Sequence, residues 1–176
     1  MSDPPWAHEP VEVVPHDPRW ITAALAERES LAAVLGPWLV DGVEHVGSTA
    51  VPGLAAKPIV DLMASVTDAA AVAAEAASRL AAAGWHFVPP ELDGRPWRRF
   101  FVKPDATGRR RAAHLHLVAS GHPRWADQLA FRDLLRRDGN VAERYEQLKL
   151  GLAKRHGHDR EAYSRAKGEF IARALA

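Results

Sequence analysis

The chain has 176 residues, 47% of them hydrophobic and 26% charged, the balance of one soluble globular domain large enough to bury a core. Lys and Arg number 23 against 22 Asp and Glu, a net charge of +1, so no global field draws the chain to nucleic acid or an anionic membrane, and phosphate recognition has to be local. The absence of cysteine excludes a disulfide framework, a zinc ribbon and a thiol nucleophile, and leaves His and carboxylates as metal-ligand types.

The first ten residues lack a basic region followed by an apolar core and read as a loose lead-in to a single domain spanning 1–176. Asp17-Pro18 starts a helix whose stripe is Trp20, Ile21, Ala24, Leu25, Leu31 and Leu35, ended by Gly36-Pro37. A short strand over 41–47 then leads into Ser48–Gly53, which has turn chemistry, and Ile59–Val66 is a β-branched apolar strand with one acid in it. Thr67 or Asp68 caps an Ala-rich helix running to Ala83, closed by Gly84. Its Glu75, Ser78 and Arg79 keep even this stretch from being apolar enough to span a bilayer, so a cytoplasmic protein without a membrane partner is expected.

Trp85–Val88, Trp97–Lys103 and Arg111–Ala119 read as strands, the last two joined by the hairpin loop 104–108. Helices are expected over Arg124–Arg137, Val141–His156 and Asp159–Leu175. This order predicts an α+β fold, a mixed β-sheet flanked by helices with a helical C-terminal third.

Four places carry candidate chemistry. Gly47-Ser48-Thr49 follows a strand directly, so its amides and hydroxyls can meet an anion, although a tight turn explains the same tripeptide. Asp61 in mid-strand needs a cation or hydrogen-bond donors, either a divalent metal or a partner such as Lys57. His114 and His116 share one face of their strand and can bind metal or phosphate, or bond to polar neighbours. His45 has the parity of Gly47 and titrates near neutrality, which suits a general base. The arginines, with Arg98 on the hairpin, are scattered and most read as solvated charges, while one or two can clamp a triphosphate, Arg132 being favoured if its helix crosses the sheet near Asp61. Tyr145 with Lys149, and Tyr163 with Lys167, have the i, i+4 spacing of Tyr packed on a Lys stem.

The segment from Glu44 through Gly47-Ser48-Thr49 to Lys57, Asp61 and Leu62 resembles the signature of the GrpB family, the UPF0157 group. The resemblance extends to His16–Trp20, His114–Leu117, Phe131–Arg136 and the two Tyr/Lys helices. It implies the nucleotidyltransferase superfamily, in which a Gly-Ser pair after the first strand holds nucleotide phosphate and a pair of acids on the next strand holds metal. Gly47, Ser48 and Asp61 match that pattern. Met63 stands in the position of the second acid, and His114 or His116 takes the place of a third. One Asp with two histidines is a poor magnesium cage and shifts the preference toward manganese or zinc.

The leading expectation is a nucleotidyltransferase-like protein. A nucleoside triphosphate lies on Gly47, Ser48 and Thr49 with Lys57 and Arg132, a divalent metal on Asp61, His114 and His116, and His45 or His116 acts as base. The alternatives are a non-catalytic nucleotide or coenzyme A-related binding module, and a metal-dependent phosphohydrolase using Asp61 with His114 and His116. Members of the resembled family fused to dephospho-CoA kinase imply a link to that enzyme. Nucleic acid is not an expected partner.

Overall fold

The computed structural model describes residues 4–176. Its centre is a five-stranded sheet in the order β1-β2-β5-β4-β3, with β1 Leu39–Val46, β2 Val60–Val66, β3 His86–Val88, β4 Arg99–Pro104 and β5 Arg111–Ala119. Only the β2–β5 pair is parallel; the other three are antiparallel, giving the mixed sheet expected.

Helix α1 spans Arg19–Leu35, with the Asp17 carboxylate accepting from the Arg19 amide at 2.9 Å. Of its apolar stripe, Trp20, Ala24, Leu31 and Leu35 are buried, whereas Leu25 is half exposed. Asp68 is the cap of the next helix, accepting from the Ala70 and Ala71 amides. The single helix expected here is two, α2 Ala69–Glu75 and α3 Ala77–Ala82, because Ala76 leaves the helical region (ψ 1°) and breaks the turn. A short α4, Pro90–Asp93, is an element the sequence did not announce.

The C-terminal third is α5 Pro123–Arg137, α6 Gly139–His156 and α7 Arg160–Leu175. Asp138 caps α6 through the Asn140 and Val141 amides, and Asp159 caps α7 through that of Ala162. These three helices close on one another around Phe131, Leu135, Val141, Tyr145 and Phe170.

Strand alternation divides the sheet into two unlike faces. Leu62, Ala64, Leu115 and Leu117 point to one face and are fully buried with Trp20, Leu31 and Leu35 of α1, Val72 of α2 and Leu80 of α3. The opposite face carries Asp61, Met63, His114 and His116, with smaller apolar clusters at its margins. The lead-in expected over the first ten residues differs from the structure: Pro5–His8 form a 3-10 turn, and Trp6 is buried against Phe100 and Val102. A large indole beside an open apolar edge suffices to tie the segment down. Residues 1–3 of that expectation lie outside the described residues.

Candidate functional site

The parallel pairing of β2 with β5 sets Asp61 beside His114 and Met63 beside His116. Same-face neighbours on paired strands come within contact distance, so this register alone assembles the polar cluster. His114 Nδ1 lies 2.9 Å from Asp61 Oδ1, and His116 Nε2 lies 3.4 Å from the same oxygen. Burial pushes the Asp61 carboxyl up, but the hydrogen bonds from both imidazoles outweigh it and hold the group well below the usual carboxylate range. Burial pushes His114 down to about 3, against the opposing pull of Asp61, so its ring is neutral at physiological pH. His116 is lowered by burial and by the nearby Arg98 guanidinium.

Gly47 follows β1 with φ +73° and ψ −173°, a region open essentially to glycine alone. A Cβ there would stand 2.8 Å from Asp61 Oδ2, so the absence of a side chain lets the turn close over the acid. Ser48 begins the 3-10 turn Ser48–Ala50, and its hydroxyl meets that of Tyr145 on α6. Gly47, Ser48 and Asp61 are therefore adjacent, as the sequence pattern predicts.

One expected participant, His45, lies elsewhere, and two others, Thr49 and Arg132, are at the cavity wall but already engaged. His45 pairs with Leu62 across β1 and β2, which turns its ring to the face covered by α1, away from Asp61. There it is 6% exposed and bonds to Thr49 Oγ1 at 2.9 Å, while burial pushes it down to about 4. The parity argument from Gly47 fails because the chain turns at the glycine. Thr49 donates to the Ile59 carbonyl and accepts from His45, so its hydroxyl braces the turn. Arg132 reaches the rim from α5, where Glu44 Oε2 at 2.7 Å, the His45 carbonyl and Asp133 occupy its guanidinium.

Asp61 sits on the floor of a cavity of about 990 Å³ between the sheet and the C-terminal helices. Among the described residues, nine Lys and Arg side chains line it against three acids, whereas the whole chain has a net charge of only +1. At one end Lys57 and Lys167 have their ammonium groups 5.4 and 5.0 Å from the Tyr163 ring. Lys149 stands beside them, 1% exposed, donating to the Ala55 carbonyl; burial, reinforced by Lys167, pushes it down to about 7. The Tyr163 hydroxyl is buried with no partner among the described residues. The other end is aromatic: Arg98 lies 3.9 Å from the Phe100 ring, and Arg124 lies 5.5 Å from Trp97.

The resemblance in the sequence implies divalent metal, and Asp61, His114 and His116 bring one donor atom each within 4.8 Å of one another. The donor set does not suit magnesium, because the second acid is replaced by Met63, 1% exposed, and two of three donors are nitrogen. Nor are the two nitrogens that face Asp61 free, although His114 Nε2 is buried with no partner among the described residues. His116 Nδ1 faces Arg98 NH1, a group that can only donate, so the ring proton belongs on Nε2, the atom turned to Asp61. As arranged, the residues do not fit a divalent cation.

Arg98 and Asp93 are the site residues that the sequence reading did not pick out. They join through Nε to Oδ2 at 2.9 Å and NH2 to Oδ1 at 2.5 Å, both side chains being under 10% exposed. The available signal was parity: Arg98 and Phe100 alternate onto one face, and Phe100 pairs with His116. Lys149 and Tyr163, read as packing pairs, also belong to the cavity wall.

Residues 10–176 match the family model described as GrpB protein. Similar sequences include the UPF0157 protein YqkA of Bacillus subtilis, 34% identical over 92% of this chain, and the UPF0157 protein PA4798 of Pseudomonas aeruginosa, 39% identical over 94%. The chain spans 45% and 66% of those two proteins. A dephospho-CoA kinase of Mycolicibacterium paratuberculosis is 32% identical over 92% of this chain, which spans 44% of it. Among solved structures, the conserved protein GrpB from Enterococcus faecalis superposes with a TM-score of 0.76 at 27% identity, covering 94% of this chain and all of that one. The Cid1 poly(U) polymerase superposes with a TM-score of 0.57 at 14% identity, over 81% of this chain and 44% of its own, which shows a shared nucleotidyltransferase fold.

Proposed function

The chain belongs to the GrpB protein family, and from that premise we propose that it binds a nucleotide or a related polyphosphate ligand in the cavity over Asp61. The observation that carries this reading is the concentration, among the described residues, of nine Lys and Arg side chains against three acids around one cavity of an almost neutral chain. Cations gathered against a low-dielectric wall repel one another, and an anionic ligand relieves that repulsion. Gly47 and Ser48 offer a turn beside Asp61 to the phosphate nearest the sheet. Lys57, Lys149 and Lys167 then take the outer phosphates, and the Tyr163 hydroxyl gains the partner it lacks. The name of the dephospho-CoA kinase relative adds coenzyme A precursors to the ligands worth trying.

A thermal-shift series with nucleoside triphosphates, tripolyphosphate and dephospho-CoA tests the reading. A ligand at 100 times its Kd stabilises by about 2.7 kcal/mol, which amounts to several degrees for a chain of this length. Stabilisation that grows from mono- to triphosphate is expected; stabilisation by none of them overturns the reading. Transfer of a nucleotidyl group is a second reading, favoured by the fold shared with a poly(U) polymerase and by Asp61 beside Gly47-Ser48. It requires pyrophosphate release on addition of an acceptor, lost in Asp61→Asn.

A further inference from the structure

We propose that Arg98 keeps the Asp61–His114–His116 cluster free of divalent metal by fixing the proton of His116 on Nε2, so that the cavity takes its phosphate ligand without a metal ion. The inference rests on the binding function proposed above and extends it to the ligand's ionic form. Arg98 is itself held on three sides. Asp93 grips it through two hydrogen bonds, the Phe100 ring lies against the guanidinium at 3.9 Å, and its remaining terminal nitrogen NH1 is turned to His116 Nδ1.

The consequence is a fixed direction of hydrogen bonding. A guanidinium has no lone pair to offer, so His116 Nδ1 has to accept, and a neutral ring then carries its hydrogen on Nε2. That hydrogen points at Asp61 Oδ1, where His114 Nδ1 donates as well. Asp61 thus has two N–H donors where a metal centre would need two nitrogen lone pairs. For His116 to ligate through Nε2, its proton would have to move to Nδ1, against an N–H of Arg98 that Asp93 prevents from turning away. Ligating histidines ordinarily give that second proton to a carboxylate or carbonyl, and here a cation stands in its place. Arg98 acts through His116 and is a positioning residue.

The experiment uses the whole chain without phosphate ligand. Zn²⁺ and Mn²⁺ are titrated calorimetrically into the wild type, Arg98→Met, the double variant Asp93→Asn/Arg98→Met and His116→Ala. The double variant removes both buried charges together, so a misfolded single variant does not decide the matter. In parallel, ¹⁵N NMR of histidine-labelled wild type reads the His116 tautomer directly. The proposal expects the Nε2–H tautomer, no wild-type site that His116→Ala abolishes, and at least tenfold tighter Zn²⁺ binding once Arg98 is replaced. One equivalent of Zn²⁺ or Mn²⁺ bound by the wild type and lost in His116→Ala, or an Nδ1–H tautomer, overturns it. Tripolyphosphate binding is measured separately, with chelator and with Mg²⁺. Binding only with Mg²⁺ overturns the metal-free form, whereas no binding in either condition overturns the polyphosphate reading and leaves the metal titration to be judged by itself.

Discussion

The two faces of the central sheet are built from alternate residues of the same strands and have opposite characters. On β2 and β5, Leu62, Ala64, Leu115 and Leu117 form a face with no solvent contact, while Asp61, His114 and His116 form the floor of a basic cavity. The packed face holds the strands in register, and the register places Asp61 against His114. The site therefore inherits its precision from the core behind it, and the two faces can be perturbed separately.

Leu115→Ala removes a fully buried side chain from the packed face and is expected to cost about 3–5 kcal/mol in chemical unfolding, with ligand affinity of the folded fraction nearly unchanged. Gly47→Ala tests the other face. Its Cβ would meet Asp61 Oδ2 and its backbone would be strained, so a loss of roughly 3 kcal/mol is expected, accompanied by displacement of Asp61 and weakened ligand binding. Unaltered stability would show that the turn does not close on the acid.

The pH dependence draws on both faces, since His114 is held lower still than His45, and a His45 variant isolates the share of the packed face. Burial holds His45 at about 4, below the ordinary 6.5, so between those values the unfolded chain binds a proton that the folded one refuses. Stability is then full above pH 6.5 and falls as pH drops toward 4, with roughly 3 kcal/mol of that loss arising from His45. Denaturant titrations across this range are expected to show a shallower fall in His45→Gln. The smallest stability effect belongs to Tyr163→Phe. Deleting an unpartnered buried hydroxyl leaves the ligand-free protein unchanged or more stable by up to about 1 kcal/mol, while polyphosphate affinity drops several-fold. A loss of ligand-free stability in that variant would mean that the hydroxyl is already satisfied.

Much of this was legible in the residues. Asp17 and Asp68 announce two helix starts, and Gly47-Ser48 with Asp61 announces a turn with the acid beside it. The pairing of His114 with Asp61 needed the parallel register of β2 and β5, which no local pattern encodes. His45 was placed on the wrong face because strand parity stops at a glycine with positive φ. Nothing local singles Arg98 out from the other scattered arginines, because its partner Asp93 lies in a one-turn helix without amphipathic signal and only the folded hairpin brings both to His116. Lys149 on its own helix looks like a stem packed on Tyr145; its cavity role depends on how α6 and α7 close against the sheet.

Whether the cavity over Asp61 is a polyphosphate site is tested most directly by calorimetric titration of ATP and of adenosine into the same preparation at several salt concentrations. Saturable one-to-one binding of ATP is expected, at least tenfold tighter than adenosine, weakening as salt rises and lost in a Lys57→Met/Lys167→Met double variant. Equal affinity for the two ligands, or ATP binding that survives loss of both lysines, would contradict it.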